Sequence, residues 1–169
     1  WIIMNEQNVF TSHGWMLGTH PPGKINDLKM FYQVNHHVFM AHAYSVLALK
    51  EMYDDALVGS SFAFSPSYAL TNKPEDALSK QDYDTLQSYY WMDVYAYGRY
   101  PRAALSYLES LNVKIEMEPW DEDILKRSAL LIDFMGVNYY QTTTVAYNPP
   151  QGVNNLNGEN NSGKKGTKA

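Results

Sequence analysis

The 169-residue sequence contains no cysteine, only 18% charged residues, and no apolar stretch near the roughly 20 residues that span a bilayer. The lack of cysteine excludes disulfides and thiolate metal sites and favours a reducing compartment, so we predict a cytoplasmic protein. A net charge of −5 argues against nucleic acid, because phosphate-binding surfaces need basic clusters. We therefore expect neither a membrane nor a nucleic-acid partner. The oligomeric state cannot be predicted from the sequence.

Several motifs of cofactor and catalytic sites are also missing. The chain has no Walker or Rossmann phosphate-binding glycine loop and no Gly-x-Ser-x-Gly nucleophile elbow. His36, His37 and His42 fall on one predicted helix, but no two of them have the i, i+4 spacing of a helical zinc site. We interpret them as core or supporting residues, and we expect His13 and His20 to pack within a loop. The sequence predicts no metal and no cofactor.

Apolar segments and amphipathic helical segments alternate along the chain. Apolar runs at 1–4, 56–64 and 130–140 predict three buried strands. Predicted helices lie at 28–51, with Asp27 as N-cap, at about 80–95, from 101 and from 120, and loops are expected at 11–26 and 71–76. Buried strands separated by helices indicate a parallel sheet covered on both faces. We predict an α/β fold over residues 1–147 and a polar, Asn/Gly/Lys-rich loop or disordered segment over 148–169.

Two of the predicted strands end in hydrogen-bonding side chains. The first ends in Asn5 and Glu6, and the third ends in Asn138, Tyr139 and Tyr140. Functional groups of parallel α/β proteins lie at the carboxyl ends of strands, so we expect Glu6, Asn138 and Tyr140 on one rim, with Glu6 facing a cleft. A carboxylate there is a candidate general acid or base. The alternative is a surface carboxylate, a capping amide and a core phenol.

These segments together resemble glycoside hydrolase family 1. The stretch 1–8, with its Asn-Glu pair, resembles the family's fourth strand. Residues 20–23, 32–37 and 41–43 resemble the loop and helix that follow it, and residues 98–101 and 133–140 resemble the approach to the sixth strand and that strand. The matches are collinear over nearly the whole chain. The resemblance implies part of a (β/α)8 TIM barrel, about strands four to six with their helices, and not a closed barrel by itself.

The resemblance also implies roles for the polar residues at the strand ends. The family hydrolyses glycosides with retention, using two carboxylates about 5–5.5 Å apart. Glu6 is then the acid/base, which protonates the leaving oxygen and later deprotonates water. Asn5 would hydrogen-bond the sugar 2-hydroxyl, Asn138 would line the same subsite, and Tyr140 would donate to the nucleophilic carboxylate. Pro often follows the acid/base in the family, whereas Gln7 does here, which implies a change on the aglycone side.

The family's nucleophile lies in a Thr-Glu-Asn-Gly sequence on the seventh strand, and this chain does not contain that sequence. We therefore expect an enzyme fragment that is inactive alone. The tail segments 148–152 and 163–167 resemble the 6-phospho-β-glucosidase branch, which implies a phosphorylated β-glucoside as the substrate. Two alternatives stay open: a fragment of a plain β-glucosidase or β-galactosidase, and a non-catalytic sugar-binding half-barrel module.

Overall fold

The computed structural model describes residues 1–148 and 167–168, which form an α/β structure. Its strands are β1 Ile2–Asn5, β2 Gly59–Ala63, β3 Ser67–Ala69, β4 Phe134–Asn138, β5 Thr143–Tyr147 and β6 Thr167–Lys168. Its helices are α1 Gln7–Trp15, α2 Leu28–Met52, α3 Pro74–Asp84, α4 Tyr90–Tyr97, α5 Arg102–Ser110 and α6 Asp121–Ala129, with a π-helical turn Thr85–Tyr89 between α3 and α4. Across these two stretches, no helix has both the length and the hydropathy needed to cross a membrane.

The main sheet consists of three parallel strands in the order β1-β2-β4. The central strand β2 pairs in register with β4, from Gly59 opposite Phe134 to Ala63 opposite Asn138. Helices connect the three strands along the chain. Because parallel strands with such crossovers carry their carboxyl ends at one edge, β1, β2 and β4 all end at the same rim. The predicted α/β class, part of a barrel that is not closed, is confirmed.

The long helix α2 provides one side of the core. The side chain of Asp27 accepts a hydrogen bond from the backbone N–H of Met30 at 3.2 Å, which confirms the predicted N-cap. Residues Phe31, Phe39 and Ala43 of α2 are at most 1% exposed. They belong to a cluster that includes Tyr90, Trp91, Val94 and Tyr95 of α4 and Phe62 of β2. The apolar stripe of α2 therefore packs on both the sheet and the next helical segment.

Helix α1 corrects the prediction of a turn-rich loop from Thr11 to Asn26. The helix begins directly after Glu6 and ends at Trp15, so the loop is shorter than expected. Its buried residues are Gln7, Thr11 and Gly14. They recur with helical spacing, but two are polar and the third has no side chain. A search for apolar periodicity therefore does not detect this helix.

Helix α3 begins earlier than the predicted helix at about 80–95. Pro74 lies in its first turn, followed by Glu75 and Asp76, which are favoured near a helix N-terminus by the helix dipole. The expected loop at 71–76 is therefore shorter. At the other end, α4 is capped by Gly98, which has φ of 62°. A Cβ at Gly98 would also lie 2.5 Å from the backbone of Lys126, so only glycine fits.

A second, small sheet is absent from the sequence-based expectation. Strand β5 pairs parallel with β3 and antiparallel with β6. The carboxylate of Asp76 accepts hydrogen bonds from the Thr71 hydroxyl at 2.5 Å and from the backbone N–H of Tyr147 at 2.8 Å. These bonds hold the pKa of Asp76 below its ordinary value. They also tie α3 to β5. At three residues, β3 is too short to show a strand periodicity.

The predicted polar loop or disordered segment over 148–169 lies mostly outside the described residues. Asn148 has no helix or strand assignment, and Thr167–Lys168 form the two-residue strand β6. The division of the chain at residue 147 stays a prediction.

We predict that residues 1–169, expressed alone, aggregate or form a loosely packed state. In the described structure β1 and β4 each pair on one side only, which leaves sheet edges available for association. Apolar side chains on these strands are also exposed to solvent: Ile2 is 62% exposed and Val137 is 52% exposed. Each Å² of apolar surface that stays exposed forgoes about 25 cal/mol of stabilisation. We expect the sum over these surfaces to exceed the free energy of unfolding of a typical domain, which is about 5–15 kcal/mol.

Light scattering and near-ultraviolet circular dichroism during a thermal scan provide the measurement. A soluble monomer with one cooperative transition would contradict the prediction and would favour the independent half-barrel module.

Candidate active site

A bulge in β1 directs the side chain of Asn5. Ile2 pairs with Gly59 and Asn5 pairs with Ser61, so β1 advances three residues while β2 advances two. With strict alternation Asn5 would share the face of Ile3, which packs against the buried cluster beneath α2. The extra residue instead brings Asn5 onto the face of Ser61. Bulges re-aim side chains in this way, often beside active sites.

Three of the polar residues singled out at the strand ends come together at the rim. The Nδ2 of Asn138 donates to Oε1 of Glu6 at 2.8 Å and to Oδ1 of Asn5 at 3.2 Å. The hydroxyl of Ser61 donates to the same Oδ1 at 2.6 Å. The Glu6 carboxylate therefore lies in a polar group built from all three strands. Sequence reasoning missed Ser61, although a serine pair inside a buried strand was a usable signal.

Asn138 and Asn5 reach each other across β2 because the residues between them are small. Neighbouring strands lie about 4.8 Å apart, so β1 and β4 are separated by about twice that distance. On this face β2 carries Gly59, Ser61 and Ala63. On the other face, Phe62 of β2 and Val58, which directly precedes the strand, belong to the buried clusters. A large side chain at position 61 would block the contact between the two amides.

Glu6 has a backbone conformation that is unusual for its residue type. It has φ of 52° and ψ of 50°, in the left-handed region, which costs about 1–2 kcal/mol for a residue with a Cβ. Its N–H donates to the carbonyl of Ser61 at 2.9 Å, and its own carbonyl accepts from the N–H of Val9 at 2.9 Å. One residue thus ends the strand and begins the helix. Glycine would fit without strain, so the glutamate is a candidate for function.

Tyr140 does not join this hydrogen-bonded group in the part of the chain that the structure describes. It lies two residues beyond the end of β4 and is 78% exposed. The expected cleft at Glu6 also stays a prediction. Cavities of about 380 and 410 Å³ lie elsewhere, and one of about 150 Å³ lies beside the carboxyl end of β2, lined by Asn8 and Ala63 among others. None of these three is lined by Glu6. A barrel cleft is enclosed by the loops of all eight strands, and the described sheet at this rim has only three.

Gln7 corrects the expectation that residue 7 changes the aglycone side. Its side chain is 0% exposed and points into the protein, away from the rim. Its Nε2 donates to the carbonyl of Asn35 at 3.0 Å and to Oδ1 of Asn35 at 2.9 Å, and its Oε1 accepts from the hydroxyl of Tyr95. Burial raises the pKa of Tyr95, so this hydroxyl stays protonated as a donor.

The orientation of both amides in this network follows from Trp91. An indole N–H can only donate, so the Asn35 atom that lies 2.9 Å from Nε1 of Trp91 must be the oxygen. The Nδ2 of Asn35 then donates to the carbonyl of Phe31 at 2.9 Å. Gln7 must in turn present its nitrogen to the Asn35 oxygen. Each polar atom of the two amides has a partner, as buried polar groups require.

The histidines mostly behave as expected. His36 is 1% exposed and lies between Oδ2 of Asp121, at 2.9 Å, and the hydroxyl of Tyr100. His42 is buried, and this burial lowers its pKa to about 4, so its ring is neutral near pH 7. His37 is exposed, so it is not a core residue, and its Nε2 lies 3.1 Å from Nε2 of Gln33.

His13 and His20 pack against each other, but His13 lies in α1, which corrects its expected position in a loop. The ring centroids of His13 and His20 lie 4.6 Å apart, and Nδ1 of His13 lies 2.7 Å from the hydroxyl of Thr19.

The parallel strands, their connecting helices and the carboxylate at the carboxyl-end rim define the chain as part of an α/β-barrel protein. Comparison with known families assigns it further. The profile of Glycosyl hydrolase family 1 matches residues 1–168, and the chain belongs to this family.

The chain spans about a third of the length of the curated relatives that it matches. It is 38% identical over 167 residues to the aryl-phospho-beta-D-glucosidase BglC of Bacillus subtilis, covering 99% of this chain and 34% of that protein. It is 31% identical to beta-glucosidase A of Acetivibrio thermocellus, covering 88% of this chain and 32% of that protein. Among solved structures, a beta-glucosidase from Exiguobacterium marinum superimposes with a TM-score of 0.80 and 26% identity, covering 100% of this chain and 36% of that one.

We predict that Gly136→Ala disrupts the rim. A Cβ at residue 136 would lie 2.9 Å from Cβ of Ser61, so the two strands would have to separate locally and Ser61 would move away from Asn5. Overpacking of this kind costs about 1–3 kcal/mol. The free energy of unfolding, measured by urea titration of the full-length protein, should fall by that amount.

The double variant Gly136→Ala/Ser61→Gly is the control, because it moves the Cβ from one strand to the other. Compared with Ser61→Gly alone, which already lacks the Ser61 hydroxyl, it should lose little further stability. An unchanged free energy of unfolding in Gly136→Ala would show that the close approach of β2 and β4 is not limiting.

Proposed function

We propose that the protein containing this chain is a retaining glycosidase in which Glu6 is the acid/base. The observation that carries the proposal is the Glu6 carboxylate, which accepts a hydrogen bond from Asn138 at the carboxyl-end rim of a parallel sheet. Its left-handed backbone adds support, since strain of this kind persists where function needs a particular side chain. Membership of Glycosyl hydrolase family 1 supports the hydrolase class.

The proposed reaction has two steps. In the first, a nucleophilic carboxylate attacks the anomeric carbon while Glu6 donates its proton to the departing glycosidic oxygen, which leaves as an alcohol. In the second, Glu6 takes a proton from water, and the resulting hydroxyl displaces the nucleophile from the anomeric carbon. We place the nucleophile outside this chain, in the part of the relatives' length that the chain does not span. By this proposal the chain alone is inactive.

We assign substrate-binding roles to the neighbours of Glu6. Asn5 Oδ1 already accepts from Ser61 and Asn138, so its Nδ2 is the group that would donate to the sugar 2-hydroxyl. Asn138 would line the same subsite and orient the Glu6 carboxylate. Tyr140, exposed beyond β4, would donate its hydroxyl to the nucleophile once that carboxylate is present.

For the substrate class we propose 6-phospho-β-glucosides. Two of the curated relatives, at 38% and 32% identity, are named aryl-phospho-beta-D-glucosidases. The competing candidate is an unphosphorylated β-glucoside, favoured by the name of the Acetivibrio relative and by the solved beta-glucosidases. If the substrate is a 6-phospho-β-glucoside, we also propose a cytoplasmic location. A sugar phosphate is charged, so the enzyme would encounter it inside the cell, after import.

We predict that Glu6→Gln in the full-length enzyme removes the proton donor but keeps the shape of the side chain. Turnover should fall by about 10²–10⁴-fold for glycosides with poor leaving groups, the range attributed to general acid catalysis. Activated aryl glycosides need little protonation, so the first step on them should be affected far less. Steady-state and burst kinetics on both substrate types provide the measurement. Equal losses on the first step of both would indicate a merely structural Glu6.

The wild-type enzyme on the same substrates, with and without a 6-phosphate, tests the substrate class. A phosphate held by two charge-assisted hydrogen bonds of about 1.5 kcal/mol each should raise kcat/KM by about 100-fold. An equal or higher kcat/KM for the unphosphorylated glycoside would identify a plain β-glucosidase.

A further inference from the structure

The side chain of Gln7 links the backbone next to Glu6 to two helices. Gln7 is the first residue of α1, Asn35 lies on α2 and Tyr95 lies on α4. The hydrogen bonds of Gln7 therefore tie the peptide between Glu6 and Gln7 to both α2 and α4. The Thr11 hydroxyl adds a further tie, since it donates to the Gln7 carbonyl at 2.7 Å and lies 3.1 Å from Oδ1 of Asn35. None of these side chains belongs to the polar group at the rim.

We infer that Gln7 is a positioning residue, whose buried hydrogen bonds hold residue 6 in the left-handed conformation and thereby aim the Glu6 carboxylate. The inference rests on the proposed role of Glu6 as acid/base. On the strand side, Glu6 is fixed by its N–H bond to Ser61. On the helix side, Gln7 supplies the corresponding constraint. Residue 6 is strained between the two, so release of either end would allow it to relax and move its side chain.

The chemistry of the site requires an amide at position 7. Both hydrogens of Nε2 donate to Asn35, and Oε1 accepts from Tyr95. A carboxylate would place negative charge against the two oxygens of Asn35, while an apolar side chain would leave buried donors and acceptors unpaired. The network is therefore specific for glutamine in the surroundings that this chain provides.

Tyr95→Phe in the full-length glycosidase is the most direct test, because it weakens the network without changing Glu6, Gln7 or the rim. The matched control is Tyr32→Phe. Tyr32 is 0% exposed, close to the 3% of Tyr95, and belongs to the same core, but its hydroxyl meets no hydrogen-bond partner among the described residues. Each variant loses one buried hydroxyl, and only Tyr95→Phe removes a bond to Gln7.

The measured quantity is the ratio of kcat/KM for an activated aryl glycoside to kcat/KM for one with a poor leaving group. Both substrates depend on the same concentration of active enzyme, so partial unfolding leaves the ratio unchanged. A misplaced acid affects the poor leaving group more. We expect Tyr95→Phe to raise the ratio about tenfold, within the range for displacements below 1 Å, and Tyr32→Phe to leave it unchanged.

Thr11→Val keeps the shape of the side chain and removes the second tie to Gln7, so it replaces Tyr95→Phe if that variant does not fold. An unchanged ratio in the folded variant would overturn the inference. A rise of the same size in Tyr32→Phe would also overturn it, since any disturbance of the core would then have the effect. Glu6→Gln, measured alongside, separates the two proposals: no change of ratio there rejects the acid/base role itself, whereas a change there alone rejects only the positioning role of Gln7.

Discussion

Glu6 ends a strand and begins a helix without an intervening loop, and this requires a left-handed backbone at a residue that has a Cβ. The surrounding structure holds that conformation from both sides. The bulged pairing of β1 with β2 fixes the strand side. The hydrogen bonds of Gln7 with Asn35 and Tyr95 fix the helix side. Stability of the core and geometry of the rim are therefore coupled at one residue.

The amides at the rim depend on a second constraint, the small residues of β2. Ser61 lies opposite both Asn5 and Gly136 in the parallel register, so the only side chain that β2 places between Asn5 and β4 is a hydroxymethyl group. This gap allows Asn138 to donate to Glu6 and Asn5 together. The proposed acid/base thus receives its orientation from a strand that is not its immediate neighbour. The barrel architecture makes this possible, because parallel strands bring their carboxyl ends to one rim.

Much of the main sheet could be predicted from the sequence, because β2 and β4 lie within the mostly apolar segments 56–64 and 130–140 and α2 has a strong helical period from its Asp27 cap. The polar residues at the strand ends were also detectable, and Asn5, Glu6 and Asn138 do meet. Helix α1 could not be found in this way, because its buried face is polar. The bulge in β1 could not be predicted either, because it depends on how β1 pairs with β2, more than 50 residues away along the chain. The partners of Gln7 lie 28 and 88 residues away along the chain, so no local pattern indicates them.

By the mechanism proposed above, Glu6 is one of two carboxylates that act on a single glycosidic bond with retention. The most direct measurement is a crystal structure of the full-length enzyme, from which the distance between the Glu6 carboxylate and the nearest carboxylate across the cleft can be read. We expect a distance of about 5–5.5 Å, the separation of a retaining pair. A separation of about 6.5–9.5 Å, which leaves room for the water of an inverting enzyme, or a Glu6 side chain that faces away from the cleft, would contradict it.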